Sequence, residues 1–358
     1  MNQLQDQINA GGAITAIPWF ENQMNPFSIA RFGVPCTGVG FASCTDIVVA
    51  LNAFEVQIGD TADTVQSLRS QRLLGPNVGL SSQFATNAFV TNKGSSSYDG
   101  MLLSLRKRFS SGFQFDVNYT WSHSIDNQST VANTTTSGGL ICDATDLRVC
   151  RGNSDFDIRH LLNVNGIWEL PIGRGRMIAG NAPGWLNAII GGWEVSGIVT
   201  ARSGLPFHLA TVSWPRTFIF DAANGVPAVL TGDPNALRAS IHDTPNGIQF
   251  FADPEAALAA VQYPRHGQIG SRNVLRSQPF WNVDSAVLKN FRLPWSETQR
   301  LQLRWESYNL FNHNVFAPPS TNNNPNLNAL NIGAGNFGII TTVQSTARVM
   351  QFGLRWDF

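Results

Sequence analysis

An all-β chain of antiparallel strands is the fold class that the sequence predicts, on three observations. Charged residues make up 13% of the 358 positions, about half of the roughly 25% usual for soluble globular proteins. No stretch approaches the ~18 continuous apolar residues of a transmembrane helix, so the apolar surface is spread finely along the chain. Phe and Trp number 23 and 10, and Gly with Asn punctuates nearly every apolar run, which suits many strands separated by turns.

Seven segments carry the strand reading, taken here in chain order. MLLSLRKRF puts Met101, Leu103, Leu105 and Phe109 on one side and Ser104, Arg106 and Arg108 on the other. FQFDVNYTWS is the cleanest: Phe113, Phe115, Val117, Tyr119 and Trp121 alternate with Gln114, Asp116, Asn118, Thr120 and Ser122. A helix would scatter these aromatics around its circumference, whereas a strand sends them all to one face. LNVNGIWEL sets Leu162, Val164, Trp168 and Leu170 against Asn163, Asn165 and Glu169, and WEVSGIVTAR sets Trp193, Val195 and Val199 against Glu194, Ser196, Thr200 and Arg202. WNVDSAVLKNF sets Trp281, Val283, Val287 and Phe291 against Asn282, Asp284 and Asn290. LQLRWESY sets Leu301, Leu303 and Trp305 against Gln302, Arg304 and Glu306. The terminal MQFGLRWDF sets Met350, Phe352, Leu354, Trp356 and Phe358 against Gln351, Arg355 and Asp357.

The connections alternate in length. Phe109 to Phe113 is a Ser-Ser-Gly turn and Phe291 to Leu301 is short, whereas Ile125 to Arg159, Ser203 to Pro279 and Asn312 to Arg348 are long and rich in Asn, Gly, Ser and Pro. Gly173 to Gly192 is intermediate. Short turns at one end and long loops at the other are the pattern of outer-membrane barrels. A soluble β-sandwich is the competing architecture, and aromatic placement weighs against it. Trp281 and Phe291 are ten residues apart, roughly 25 Å of height at ~3.3 Å rise and ~40° tilt, which equals an apolar band with an aromatic girdle at each edge. The expectation is an antiparallel transmembrane β-barrel, present as a partial barrel of about seven C-terminal strands with long extracellular loops.

Charge and cysteines bound the function. Formal net charge is +0 and no Lys/Arg block occurs, which gives nucleic acid no electrostatic footprint. The four cysteines fall as two pairs of identical spacing, Cys36 with Cys44 and Cys142 with Cys150, and favour two short disulfide loops in an oxidising compartment. The N-terminal MNQLQDQINAGG has no basic or apolar export region, so an exported protein is expected to extend beyond this chain.

Enzyme motifs find no support. Gly333, Gly335 and Gly338 of GAGNFG match a dinucleotide fingerprint only formally, because no strand precedes them and no helix follows. The histidines lack metal-ligand spacing, no G-x-S-x-G elbow occurs, and no cofactor or metal is expected. Asp143, Asp146, Asp155 and Asp157 lie near Cys142 and Cys150 and could offer calcium hard oxygens, but without EF-hand spacing the favoured reading is a solvated loop with Asp157 and Arg159 pairing locally. On the polar faces, Arg106, Asp116, Glu169, Glu194, Arg202, Asp284, Arg304, Glu306, Arg355 and Asp357 are candidate lumen-facing groups. They would pair across strands in a wet lumen or hold a plug through breakable ion pairs.

The motifs SSYDGMLLSLRKRFSSGFQFDVNYTWSHSID, RGNSDFDIRHLLNVNGIWELPIGRG, GWEVSGIVTARSGLPF, SRNVLRSQPFWNVDSAVLKNF, QRLQLRWESYNLFNHNVF and QFGLRWDF, in this order, resemble TonB-dependent outer-membrane receptors of the Oar-like kind. NQLQDQINAGGAITAIPWFENQMNPF is similar to the loop preceding their last strands. The resemblance implies that residues 1–96 are an extracellular loop region and 97–358 the C-terminal part of the transmembrane barrel. It implies the cell outer membrane as location and energy-coupled uptake of a bulky nutrient as function, with no enzymatic activity. Partners would be outer-membrane lipid, further N-terminal strands and a plug encoded elsewhere, and through that plug the TonB complex. The alternating Phe352, Leu354, Trp356 and final Phe358 resemble the signal read by the barrel-assembly machinery. Trp214, Phe218 and Tyr263 are aromatic handles for a ligand. The alternative is a surface-exposed structural or adhesion protein whose barrel anchors its loops.

Overall fold

The computed structural model describes every residue except 58–60, 79–91, 130–145, 212–225, 266–267, 293–298, 318–331 and 334. Each alternating segment lies in a strand of one sheet: β1 (Ser96–Ser110), β2 (Phe113–Asp126), β3 (His160–Glu169), β4 (Trp193–Arg202), β5 (Phe280–Arg292), β6 (Arg300–Tyr308) and β7 (Val349–Asp357). Consecutive strands pair antiparallel, so the spatial order is the chain order. A two-residue strand, Gly152–Asn153, joins the loop end of β2 and brings the sheet to eight strands. The sheet is open: among the described residues β1 and β7 each keep one unpaired edge.

Register converts the period of two into continuous rows, because residues opposite one another in an antiparallel pair share a face. One row runs Leu105, Val117, Val164, Val199, Val283 across β1 to β5. A second runs Phe113, Trp168, Val195, Val287, Trp305, Phe352 across β2 to β7. The opposite face carries Ser104, Asn118, Asn163, Thr200 and Asn282 in one row, with Ser104 Oγ donating to Asn118 Oδ1 at 2.8 Å and Thr200 Oγ1 to Asn163 Oδ1 at 3.3 Å. A one-residue slip of any strand would mix the two kinds of row, so the pattern itself fixes the pairing.

Two lysines interrupt the apolar face, and both sit at its short-turn edge. Lys107 donates to the Ser110 and Phe113 carbonyls at 3.0 and 3.1 Å. Lys289 reaches the Gly191 carbonyl and lies 5.3 Å from the Trp193 ring centroid and 5.1 Å from that of Phe291. Their stems cover apolar surface while the ammonium groups bend back to the turns, as long cationic side chains on apolar surfaces do. The β1–β2 turn is tight because Ser111 and Gly112 both have positive φ, 55° and 78°, the type I′ geometry that matches strand twist.

The all-β expectation is corrected in the first quarter of the chain. Residues expected to be loop form α1 (Asn2–Asn9), α2 (Pro18–Phe32), α3 (Cys44–Gln57) and α4 (Thr61–Ser70) around a core of Leu4, Phe20, Met24, Ile47, Val48 and Leu68. Pro18 opens α2 and Gly33, at φ 77°, closes it, each in its preferred position. Glu21 accepts from the Cys44 and Thr45 amides at 3.0 and 2.9 Å, placing a carboxylate at the positive end of α3. Cys36 and Cys44 are disulfide-bonded to each other.

The long connections are also more structured than the sequence predicts. Phe207, Leu209, Leu237, Phe250, Phe251, Phe337 and Ile340 form a second buried core, over which strands Ala239–Thr244, Gly247–Phe251 and Ile339–Ile340 make a small sheet. GAGNFG serves this core: Phe337 stacks on Phe251 with ring centroids 5.1 Å apart, and the Gly338 carbonyl accepts from the Phe250 amide at 2.9 Å.

The two faces predict opposite responses at neighbouring positions. Val117→Arg, in the apolar row, should destabilise the protein in lipid by about 2–4 kcal/mol, and Asn118→Arg should be mild. Denaturant unfolding from lipid vesicles measures both, and equal losses would reject the face assignment.

Candidate functional site: an ionic clamp at the loop end

Beyond Trp121 the inward residues of β2 become buried: Ser122, Ser124 and Asp126. What covers them is a junction of two loops, one entering β3 and one entering β5. Asp157 of the first has a side chain with 0% exposure. It accepts from the Ser124 amide at 2.6 Å, from Arg159 Nε at 3.0 Å and from Arg276 of the second loop. Arg276 also donates to the Asp157 and Gly204 carbonyls, both at 3.1 Å. Burial alone would raise the Asp157 carboxyl, but the Ser124 amide and the Arg276 and Arg159 guanidiniums outweigh it and hold the group below the usual carboxylate range.

A second pair repeats the design nearby. Arg272 binds Asp126 of β2, donates from Nε to the Cys150 carbonyl at 3.2 Å and lies 3.6 Å from Asp155. Asn273 Nδ2 donates to Asp155 Oδ1 at 2.6 Å and to the Asn153 carbonyl at 2.8 Å, and Asn153 Nδ2 returns a bond to the Asn273 carbonyl at 2.7 Å. Backbones meet here as well: a Cβ on Gly152 would stand 2.6 Å from the Arg272 carbonyl oxygen, so only glycine fits. Three carboxylates face three guanidiniums, and each buried charge is paired, which is the condition under which ion pairs survive burial.

All ten lumen candidates share the polar face, but they gather in separate groups. Arg106 and Asp116 are opposite one another on β1 and β2, with Nε to Oδ1 at 2.7 Å. Asp284 accepts from Asn282 Nδ2 and from the Asn309 amide, both at 2.8 Å. Glu169 and Glu194 are directly opposed, and Glu169 is paired with Arg176 at 3.0 Å. The Arg202 guanidinium lies 5.2 Å from the Phe280 ring centroid. Arg304 and Gln351 both bind Glu306, and Arg355 and Arg300 each reach Asp357 at 2.7 Å. These pairs line a wall rather than converge on a reacting atom.

The described aspartates among those weighed for calcium, Asp146, Asp155 and Asp157, turn to arginines. Asp146 accepts from Arg148 Nε at 2.8 Å, and Asp155 and Asp157 belong to the clamp. Cys142, Asp143, Trp214 and Phe218 lie outside the described residues; Cys150 is disulfide-bonded, and Tyr263 is half-buried. Phe352, Leu354, Trp356 and Phe358 are exposed along the free edge of the sheet, Phe358 to 95%. Sequence reasoning missed Arg272 and Arg276, although both stand in the motif SRNVLRSQ, as Asp155, Asp157 and Arg159 stand in RGNSDFDIRH. Two of the motifs carrying the resemblance are therefore the two halves of one junction.

A family model described as an outer membrane beta barrel domain matches residues 22–351. The chain belongs to this outer-membrane β-barrel family. Its place is the outer membrane, whose barrels as a class turn apolar rows to lipid and alternate them with inward polar ones. Among the curated proteins and the solved structures no match is found.

The clamp predicts a directional pH response. Because the Asp157 pKa is lowered in the folded protein, its stabilisation is present above the unfolded value of about 3.9 and is lost as pH falls through the lower folded value. Protease resistance of the two loops should hold from neutral pH to the carboxylate range and fall only below it. Asp157→Ala leaves two partly buried guanidiniums and the Ser124 amide short of a partner and should cost about 1–3 kcal/mol, read by hydrogen exchange at the loop end; unchanged exchange would remove the clamp's structural role.

Proposed function

We propose that the chain forms part of the barrel wall of a TonB-dependent receptor of the Oar-like kind, which imports a bulky nutrient with energy delivered through TonB. The observation that carries this reading is the polar face of the sheet. It holds ion pairs such as Arg106–Asp116 and Arg355–Asp357, each within a single protein layer and open toward the interior. Groups of that kind can exchange partners with a plug that moves, without exposing apolar surface. The clamp, in turn, would hold the ligand-facing loops in fixed relation to that wall. The role is transport, with no catalytic chemistry and no nucleic acid. Further barrel strands, the plug, TonB and the barrel-assembly machinery are the partners.

Two measurements test it. Native outer membranes extracted in mild detergent should yield this chain in association with a plug-bearing polypeptide, and the complex should retain the purified C-terminal domain of TonB. Absence of that retention, together with adhesion of cells through the loops, would favour the alternative of a barrel that only anchors surface structure. Deletion of Phe358 should sharply reduce outer-membrane insertion while synthesis continues, because an apolar terminal strand with a free edge is suited to β-augmentation on the assembly machinery. Membrane fractionation with surface proteolysis measures this, and normal surface exposure of the variant would count against it.

A further inference from the structure

The connection between β3 and β4, residues 170–192, belongs to the short-turn end. The Glu169 amide donates to the Gly112 carbonyl at 2.7 Å, and the Asn290 amide to the Gly192 carbonyl at 2.9 Å. Where the β1–β2 link is a tight turn, this one carries α5 (Gly184–Ile190), and it is well fastened. Ile178 and Gly173 amides donate to the Pro171 and Ile178 carbonyls, both at 2.9 Å. Asn187 Oδ1 accepts from the Arg174 amide at 2.7 Å, and Trp193 Nε1 donates to the Ile189 carbonyl at 3.0 Å.

On this fixed platform the apolar groups are turned outward. No residue of α5 is buried. Trp185, Ala188 and Ile189, spaced i, i+3, i+4, make one exposed helix face, with Trp185 69% and Ile189 61% exposed. Nearby Met177 is 83% exposed. An apolar face presented by an ordered element marks an interaction site. Two observations say what covers it. The first is continuity: the connection springs from Trp168 and Trp193, which lie in the lipid-facing rows at the short-turn edge. The second is charge: Arg174 and Arg176 are the only charged residues among 170–192, and with Arg176 paired to the flanking Glu169, the exposed Arg174 supplies the connection's cation. Aromatic, aliphatic and basic groups in this arrangement suit the interface of a phospholipid leaflet.

We propose that residues 170–192 form an interfacial anchor, with Trp185 and Ile189 of α5 seated in the phospholipid leaflet at the short-turn edge and Arg174 facing anionic headgroups. The inference rests on the barrel-wall reading, because only that reading brings this edge to a membrane surface. Position-specific quenching tests the two separately. Trp185→Cys and, as a mid-strand reference, Val199→Cys are each labelled with an environment-sensitive fluorophore. The full chain is reconstituted in phosphatidylcholine vesicles, with and without phosphatidylglycerol. Headgroup spin labels should quench the probe at 185 and acyl-terminus spin labels the probe at 199. Quenching at 185 should rise with phosphatidylglycerol, and Arg174→Gln should abolish that rise. A probe at 199 quenched from depth with an unquenched probe at 185 overturns the anchor alone, and an aqueous or protein-covered face follows. Loss of quenching at both positions overturns the barrel-wall reading and the anchor with it. Quenching at 185 that ignores both phosphatidylglycerol and Arg174→Gln overturns the headgroup contact.

Discussion

Hydrocarbon offers no hydrogen-bond partner, so every backbone amide and carbonyl that enters it must be paired within the protein. The meander from β1 to β7 meets this demand between its strands and, among the described residues, leaves the outer edges of β1 and β7 for other elements to pair; the other features follow from it. A paired sheet has two faces, and the period of two gives one to lipid and one to water. The rows through Val117 and Val164 and through Asn118 and Asn163 differ by a single residue, yet one is apolar and the other is built from polar groups. Lys107 and Lys289 obey the same constraint in reverse. They stand on the lipid face only where the turn carbonyls are within reach.

Ionic chemistry is divided by depth. Along the wall, pairs such as Arg300–Asp357 are partly exposed and individually worth little. At the loop end, Asp157 and Asp126 are buried and paired with arginines from a loop more than a hundred residues away in sequence. Replacing such pairs with apolar groups could preserve stability, whereas removing one partner cannot. A junction of this kind fixes which loop meets which, and this keeps two long connections in one arrangement.

The strands were legible because their signal is local: ten residues of FQFDVNYTWS suffice to assign a face, and Phe113 to Asp126 pairs as that face requires. The helices of residues 2–70 were not. In α3, VVALNAF presents apolar residues all around its axis, so neither period stands out, and α2 has Pro26 in its interior. The clamp was half legible. Asp157 with Arg159 is an i, i+2 pair visible in sequence, but Arg276 approaches from a separate loop, and nothing in its neighbours announces that. The aromatic core of Phe207, Phe250, Phe251 and Phe337 was hidden for the same reason, since it gathers short runs from distant segments.

The strand count of the meander carries a consequence of parity. Six successive antiparallel pairings separate β1 from β7, so the two edge strands point the same way. Joining them directly, or joining β7 to the β1 of a second copy lying the same way up in the membrane, would create a parallel seam. Parallel seams are foreign to bacterial single-chain outer-membrane barrels, whose even strand number lets the strands alternate all the way round. Any element that closes this wall in keeping with the rest of it must contribute an odd number of strands, and a ring assembled from identical copies of the sheet alone is topologically frustrated.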